Sequence, residues 1–349
     1  MTLTPGHIRT LVFSGGGIKG FAYIGVLRAL QEYSLLSSIQ QFVGTSIGSL
    51  FALCLTLGYT YEDLSILLET FDISFFQDIG LRHLVEGFGI DSGKKVEQFI
   101  QDIIAFQLNT EHKEVTFRQL YEATKKELII TTTCLDTKEC TYLSHKSTPN
   151  LPVYIGIRMS MNLPGLFPPY PYKGHCYVDG GLKDNFPIRF YPPHETLGFY
   201  LGNPPQTKTN SNQTSLPLTS SSSIHSDIST QNKHEDTREI PTSPIITSWF
   251  SYLHQLWSTM FDDLNNYRKQ EYWSKYWIVP IQISNIEMFE LNVSLKQRKK
   301  MYRIGYLTTV RFFKQYHVKR HPITSGIQYA LQRLQEEHSE TKNKSTNTE

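Results

Sequence analysis

Residues 42–51 read FVGTSIGSLF, and the fold turns on how the serine at their centre is understood. Gln41, Phe42 and Val43 form a short β-type run. From Ser46 to Leu57 the chain reads SIGSLFALCLTL, nearly all apolar and too long for one strand, so a buried helix follows. A serine between Gly44 and Gly48 at such a junction has two readings. It is an ordinary helix cap, or it is a nucleophile on a sharp strand-to-helix elbow whose small flanking residues let the hydroxyl rise out of the sheet. G-x-S-x-G arises readily by chance, so the string alone leaves both open.

Working outward, residues 10–13 (TLVF) form another short apolar run, broken by Gly15, Gly16 and Gly17, after which residues 21–30 (FAYIGVLRAL) carry helical apolar spacing. Strand and helix have then alternated twice. Residues 128–133 (LIITTT), 176–178, 197–201 and 277–283 (WIVPIQI) read as further strands. The alternation predicts an α/β fold, a sheet covered by helices.

The 349 residues suffice for a sizeable core, and 39% hydrophobic residues with 20 Tyr and 20 Phe describe a globular chain. Charges nearly cancel, 34 Lys and Arg against 32 Asp and Glu, so no global field favours nucleic acid. The first twenty residues lack a charged segment followed by a long apolar one, and no apolar run reaches the ~18 residues of a membrane span. The expectation is a cytoplasmic protein without an integral membrane span, peripheral to membranes at most; the oligomeric state is left open. Cys54, Cys134, Cys140 and Cys176 show neither C-x-x-C nor paired-His spacing, so buried reduced thiols are expected and no metal site or disulfide framework. The sequons at Asn212, Asn292 and Asn343 carry little weight without a secretory signal.

Residues 203–244 collapse into Ser, Thr, Asn, Gln and Pro, a predicted disordered insertion, and 335–349 form a predicted disordered tail. The domain division that follows is 10–202 as the core, 203–244 as the insertion, and 245–318 as the C-terminal part of the same domain. Just past the insertion, Trp249, Phe250, Leu253, Leu256, Trp257, Met260, Phe261 and Leu264 form one helical apolar stripe. It faces either a core or a membrane surface. Lys296, Arg298, Lys299, Lys300, Arg311, Lys314, Lys319 and Arg320 then make a basic helix, solvated or facing anionic lipid.

Gly15-Gly16-Gly17-Ile18-Lys19-Gly20 fits G-x-G-x-x-G between strand and helix. A dinucleotide site needs an acidic residue closing the next strand, and that strand ends instead in Val43-Gly44-Thr45-Ser46. A P-loop lacks its G-K-[ST]. What remains is a turn whose backbone N–H groups converge at a helix start, a seat for developing negative charge. Ser46 also needs a base. The late histidines His254, His317 and His321 sit in no glycine-framed turn, whereas Asp179 does, in Val178-Asp179-Gly180-Gly181. A lone D-G-G is usually only a turn.

Together, G-G-G-x-K-G on the first strand-helix turn, G-T-S-x-G on the second and D-G-G downstream resemble the patatin-like phospholipase family. Ser160, Pro164 and Phe167-Pro168-Pro169 in RMSMNLPGLFPP, Asn185 and Pro187 in DGGLKDNFP, and residues 289–313 are similar to the family's flanking segments. Ser14 stands where plant patatins carry an acidic residue, as it does in many bacterial members. The resemblance implies a three-layer fold with a mostly parallel central sheet, and lipid acyl hydrolase activity on phospholipid or acylglycerol at a membrane surface, with no cofactor and no calcium. It further implies Ser46 as nucleophile and Asp179 as base, with an oxyanion hole from the 15–20 backbone and Ile47 N–H. Acyl transfer, or a catalytically silent lipid-binding role, are the alternatives. Lys19 is a surface cation or a partner for lipid phosphate.

Overall fold

The computed structural model describes residues 3, 5–78, 88–205, 252, 256, 271–286, 290 and 292–320. The polar insertion beyond 205, all of the apolar stripe but Leu256, His254, His321 and the tail 335–349 lie outside the described residues.

Among the described residues eight strands make one mixed, mostly parallel sheet: β1 (Thr10–Phe13), β2 (Gln41–Thr45), β3 (Glu127–Cys134), β4 (Glu139–Leu143), β5 (Tyr170–Tyr172), β6 (His175–Asp179), β7 (Thr196–Leu201) and β8 (Trp277–Ile281). The order is β5-β6-β3-β2-β1-β7-β8, with β4 also on β3. β3, β2, β1, β7 and β8 run parallel. β4 and β6 run antiparallel to β3, and β5 antiparallel to β6. β1, β3 and β7 are buried along their whole length, as strands covered on both faces must be.

One piece of register positions everything that follows. Thr131 pairs with Thr45 of β2 and with Tyr142 of β4; Thr132 pairs with Asp179 of β6 and with Thr141 of β4. β4 therefore occupies one edge of β3, and β2 and β6 share the other. They run toward one another and meet head-on, their last residues Thr45 and Asp179 opposite consecutive residues of β3.

The helices are α1 (Phe21–Glu32), α2 (Ile47–Leu57), α3 (Tyr61–Thr70), α4 (Lys94–Leu108), α5 (Phe117–Thr124), α6 (Val153–Ser160), the single turn α7 (Gly181–Asp184) and α8 (Leu295–Gln315). Capping boxes start three of them: Thr60 with Asp63, Thr116 with Gln119, and Ser294 with Gln297. One sheet face presents Leu11, Phe13, Phe42, Ile130, Phe199 and Val279 to α1, α2 and the other large helices, in one continuous core. The opposite face presents Val12, Val43, Ile129 and Ile278, packed by Phe186, Ile188 and Tyr272. Phe13 anchors the first core, its ring 4.9 Å from Phe51 and 5.3 Å from both Tyr23 and Phe199.

α8 lies along α1 at backbone contact. A Cβ on Gly25 would collide with the Tyr302 carbonyl, and one on Gly305 with the Ala22 carbonyl, so each helix offers a glycine to the other's backbone. Buried Glu32 seals the pair, bonded to Arg28 at 3.0 Å, the Tyr306 hydroxyl at 2.8 Å and Arg320 at 2.9 Å. The basic helix is thus not uniformly solvated. Arg298 is buried, donating to the carbonyls of Leu68 at 2.8 Å and Val293 at 2.7 Å, and Lys299 pairs with Glu69 at 2.8 Å. Sequence reading did not anticipate β4 and β5. ECTYL carries too little apolar contrast, and YPY is three residues with a central proline at the sheet edge.

Candidate active site

Ser46 follows β2 directly and stands at the N-cap of α2, yet its side chain makes no capping bond. Its backbone lies at φ 54°, ψ −128°, a left-handed region that costs a non-glycine residue about 1–3 kcal/mol. Surroundings hold it there. Its N–H donates to Ser160 Oγ at 2.9 Å, and its carbonyl accepts from Ser49 Oγ at 2.6 Å and from Ser49 N–H at 2.8 Å. The elbow is possible because Gly44 and Gly48 have no side chains: a Cβ on Gly44 would meet the Gly48 carbonyl, and one on Gly48 the Phe13 carbonyl. The helix is thereby seated on the ends of β1 and β2.

Asp179 closes β6 and is 1% exposed. Its N–H donates to the Asn162 carbonyl at 3.0 Å, two residues beyond the Ser160 that holds Ser46. Oδ1 accepts Gly181 N–H at 2.8 Å, while buried Oδ2 receives no hydrogen bond among the described residues. Burial pushes the carboxyl from 3.8 up to about 7, with the Ser46 hydroxyl and Gly181 N–H pulling the other way. Gly180 lets the chain pass against the Thr131 carbonyl. The following turn, α7, is tied back to the sheet: Asp184 accepts from the Tyr142 hydroxyl at 2.7 Å and pairs with Arg189 at 3.1 Å, and its carbonyl accepts the Thr45 hydroxyl at 3.2 Å.

The glycine loop borders the serine. Gly15 N–H is engaged by the Asn185 carbonyl at 3.3 Å and Lys19 N–H turns back to the Gly16 carbonyl at 3.2 Å. The N–H groups of Gly16, Gly17, Ile18 and Ile47 have no acceptor among the described residues. Within the 15–20 stretch the candidate donors thus narrow to Gly16, Gly17 and Ile18, beside Ile47 at the helix start. Ser14 is buried and structural, its hydroxyl accepting Leu201 N–H at 2.9 Å, which spans β1 to β7.

Ser46, Gly17, Ile18 and Ile47 open onto a cavity of ≈ 390 Å³ whose walls are almost wholly apolar, among them Phe21, Leu50, Phe71 and Leu163. Asp179 is not part of the lining and sits behind the serine; among the described residues no histidine lines it either. A hydroxyl on a strained elbow and unpaired amides border an apolar chamber, with a dry carboxylate of raised basicity behind the serine.

The sequence profile described as Patatin-like phospholipase matches residues 11–190, more than half of the chain and the whole of the site just built. The chain belongs to the patatin-like phospholipase family. Among similar proteins, "Uncharacterized protein R571" of Acanthamoeba polyphaga mimivirus is 30% identical over 222 residues, 62% of this chain and 73% of that one. "Probable lipid hydrolase 463L" of Invertebrate iridescent virus 6 is 29% identical over 193 residues, 54% of this chain and 64% of that one. The chain so spans about two thirds to three quarters of these two relatives. VipD from Legionella pneumophila shares the fold, with a TM-score of 0.61 over 89% of this chain and 67% of that one at 17% identity. Among the described residues of this patatin-like chain, no helix is long and apolar enough to cross a membrane.

Sequence motifs pointed to Ser46, Asp179 and the glycine turns. They gave no role to Ser160 and Asn162, whose segment holds the amides of both Ser46 and Asp179. A serine and an asparagine two apart at a helix end carry no signal of their own; only the spatial convergence assigns them one.

Proposed function

We propose that the chain is a lipid acyl hydrolase that cleaves carboxylic esters of phospholipids or acylglycerols by a Ser46–Asp179 dyad. The observation that carries this is the pairing of a strained, cavity-facing Ser46 with a buried Asp179 whose carboxyl is raised to about 7. A carboxylate at its ordinary value is too weak a base toward a hydroxyl; one near neutral pH is ionised in good part and far more basic.

In this reading the substrate's acyl chain leaves the membrane surface for the apolar cavity. Ser46 Oγ attacks the carbonyl carbon while its proton passes to Asp179. The resulting oxyanion is held by Gly16, Gly17 and Ile47 N–H, each such donor lowering the barrier by about 3 kcal/mol. Collapse returns the proton from Asp179 to the departing alcohol oxygen and leaves an acyl-Ser46 ester. Water, activated by Asp179, then releases the fatty acid. Serine and aspartate supply nucleophile and base, so calcium is not required, and a calcium-selective chelator should leave turnover unchanged.

The test is labelling with a fluorophosphonate alongside fatty acid release from phospholipid vesicles. The wild type should label at Ser46 and hydrolyse; Ser46→Ala should do neither; Asp179→Asn should lose turnover. A folded wild type that neither labels nor hydrolyses would return the chain to a lipid-binding role. Labelling that survives Ser46→Ala would remove the nucleophile assignment.

A further inference from the structure

The far end of β6 from Asp179 holds a cluster that the proposed reaction does not use. Cys134 ends β3, Asp136 stands in the turn leading to β4, and His175 opens β6. Cys134 pairs across the sheet with Tyr177, and side chains alternate along a strand, so His175, two residues before Tyr177, shares the face of Cys134. Two hairpins thereby bring a thiol, a carboxylate and an imidazole to one spot.

The geometry is close to that of a metal site. Cys134 Sγ lies 3.9 Å from Asp136 Oδ2, and His175 Nδ1 lies 3.6 Å from the same oxygen. One donor atom from each of the three lies within 4.8 Å of the other two. Donors bonded to tetrahedral zinc at about 2.0–2.3 Å stand about 3.3–3.8 Å apart. Two edges of the triangle are near that spacing, and closing the third takes about 1 Å, within the reach of small side-chain rotations. His175 and Asp136 have room for this, at 48% and 47% exposed. The carboxylate is already oriented, since Oδ2 accepts Cys176 N–H at 2.7 Å, the kind of outer support that fixes metal ligands. Cys134 is buried, which shields the soft donor, while the two exposed donors leave a route in.

We propose that Cys134, Asp136 and His175 bind a divalent ion of the zinc class, with a fourth coordination position filled by water. Thiolate and imidazole select such an ion over calcium or magnesium, which require all-oxygen shells. The ion would bolt the β3–β4 turn to the start of β6, bracing the strand whose other end presents Asp179.

The test uses the full chain, reduced and freed of metal by dialysis against a chelator, and titrated with cobalt(II) as a spectroscopic stand-in for zinc. One equivalent should bind with tetrahedral absorption and a thiolate charge-transfer band, and zinc should displace it. Zinc should also raise the melting temperature where calcium and magnesium do not. His175→Ala and Asp136→Asn, both at exposed positions, should each weaken binding at least tenfold, and Cys134→Ser should remove the thiolate band. Absence of that band, its survival in Cys134→Ser, or undiminished zinc binding by His175→Ala would overturn the proposal. If Cys134→Ser fails to fold, the other two variants decide.

Discussion

Asp179→Asn should abolish turnover and at the same time stabilise the fold at alkaline pH, by an amount that shrinks as pH falls. Burial raises the carboxyl from 3.8 to about 7, so its charged form is disfavoured in the fold by about 4 kcal/mol relative to the unfolded chain. The folded state binds the proton more tightly. Below about pH 4 the group therefore costs nothing, the loss accrues as pH rises from 3.8, and it is complete once pH passes about 7. At pH 8 the wild type carries the whole ~4 kcal/mol, and at pH 5 only about 1–2 kcal/mol. Asparagine carries no charge at either pH. Its amide nitrogen can occupy the Oδ2 position, which has no hydrogen-bond partner among the described residues, and this costs about 1–3 kcal/mol at both pH values. The absolute gain at pH 8 is then about 1–3 kcal/mol. The margin between variant and wild type changes by about 2–3 kcal/mol from pH 8 to pH 5 whatever the amide costs, because that contribution cancels. Urea unfolding of both proteins at the two pH values measures it. A margin constant to within about 1 kcal/mol would refute the dry, raised carboxylate and with it the reason Asp179 can act as a base.

The same group should govern the rate. In the proposed dyad the ionised form accepts the serine proton, so kcat/KM should fall tenfold per pH unit below about 7, whereas an ordinary carboxylate would hold its plateau to near pH 5. Ser160→Ala orphans the Ser46 amide, and the fold should lose about 1–3 kcal/mol while kcat drops roughly tenfold to a hundredfold; an unchanged kcat in a folded variant would rule out its positioning role. Gly305→Val forces α8 off the Ala22 carbonyl and should destabilise by about 3 kcal/mol or more in thermal unfolding, well beyond a surface change. Cys54, its thiol pushed up to about 12 by burial in α2, should resist alkylation in the native protein and react only on unfolding.

How far the sequence carried the fold depended on where contrast was available. β1, β2, β3, β7 and β8 were legible because apolar runs bounded by glycine or polar turns admit few alternatives, and α2 because an eleven-residue apolar helix has nowhere to be but inside. β4 and β5 were not, since their residues take strand form only by pairing with β3 and β6. Ser46 and Asp179 could be named from their glycine frames. Their meeting could not, because it depends on the register of β3, which neither motif contains. For the same reason the absence of C-x-x-C spacing hid the grouping of Cys134, Asp136 and His175. Two hairpins assemble it, and spacing along the chain is blind to that.

The sharing of one β3 edge by two strands has a consequence for the strained serine. An elbow is usually understood as a device for exposing a nucleophile. Here the backbone has no in-plane alternative: β2 ends opposite Thr131, and the next berth, opposite Thr132, is taken by Asp179 arriving from the other direction. The chain after Thr45 must leave the sheet or collide with Asp179. Crowding thus enforces the conformation of Ser46, and the residue that does the crowding is the one proposed to take its proton. Retracting β6 by a residue would vacate that berth, let Ser46 relax into the sheet, and erase the proposed nucleophile and its proposed base in one step.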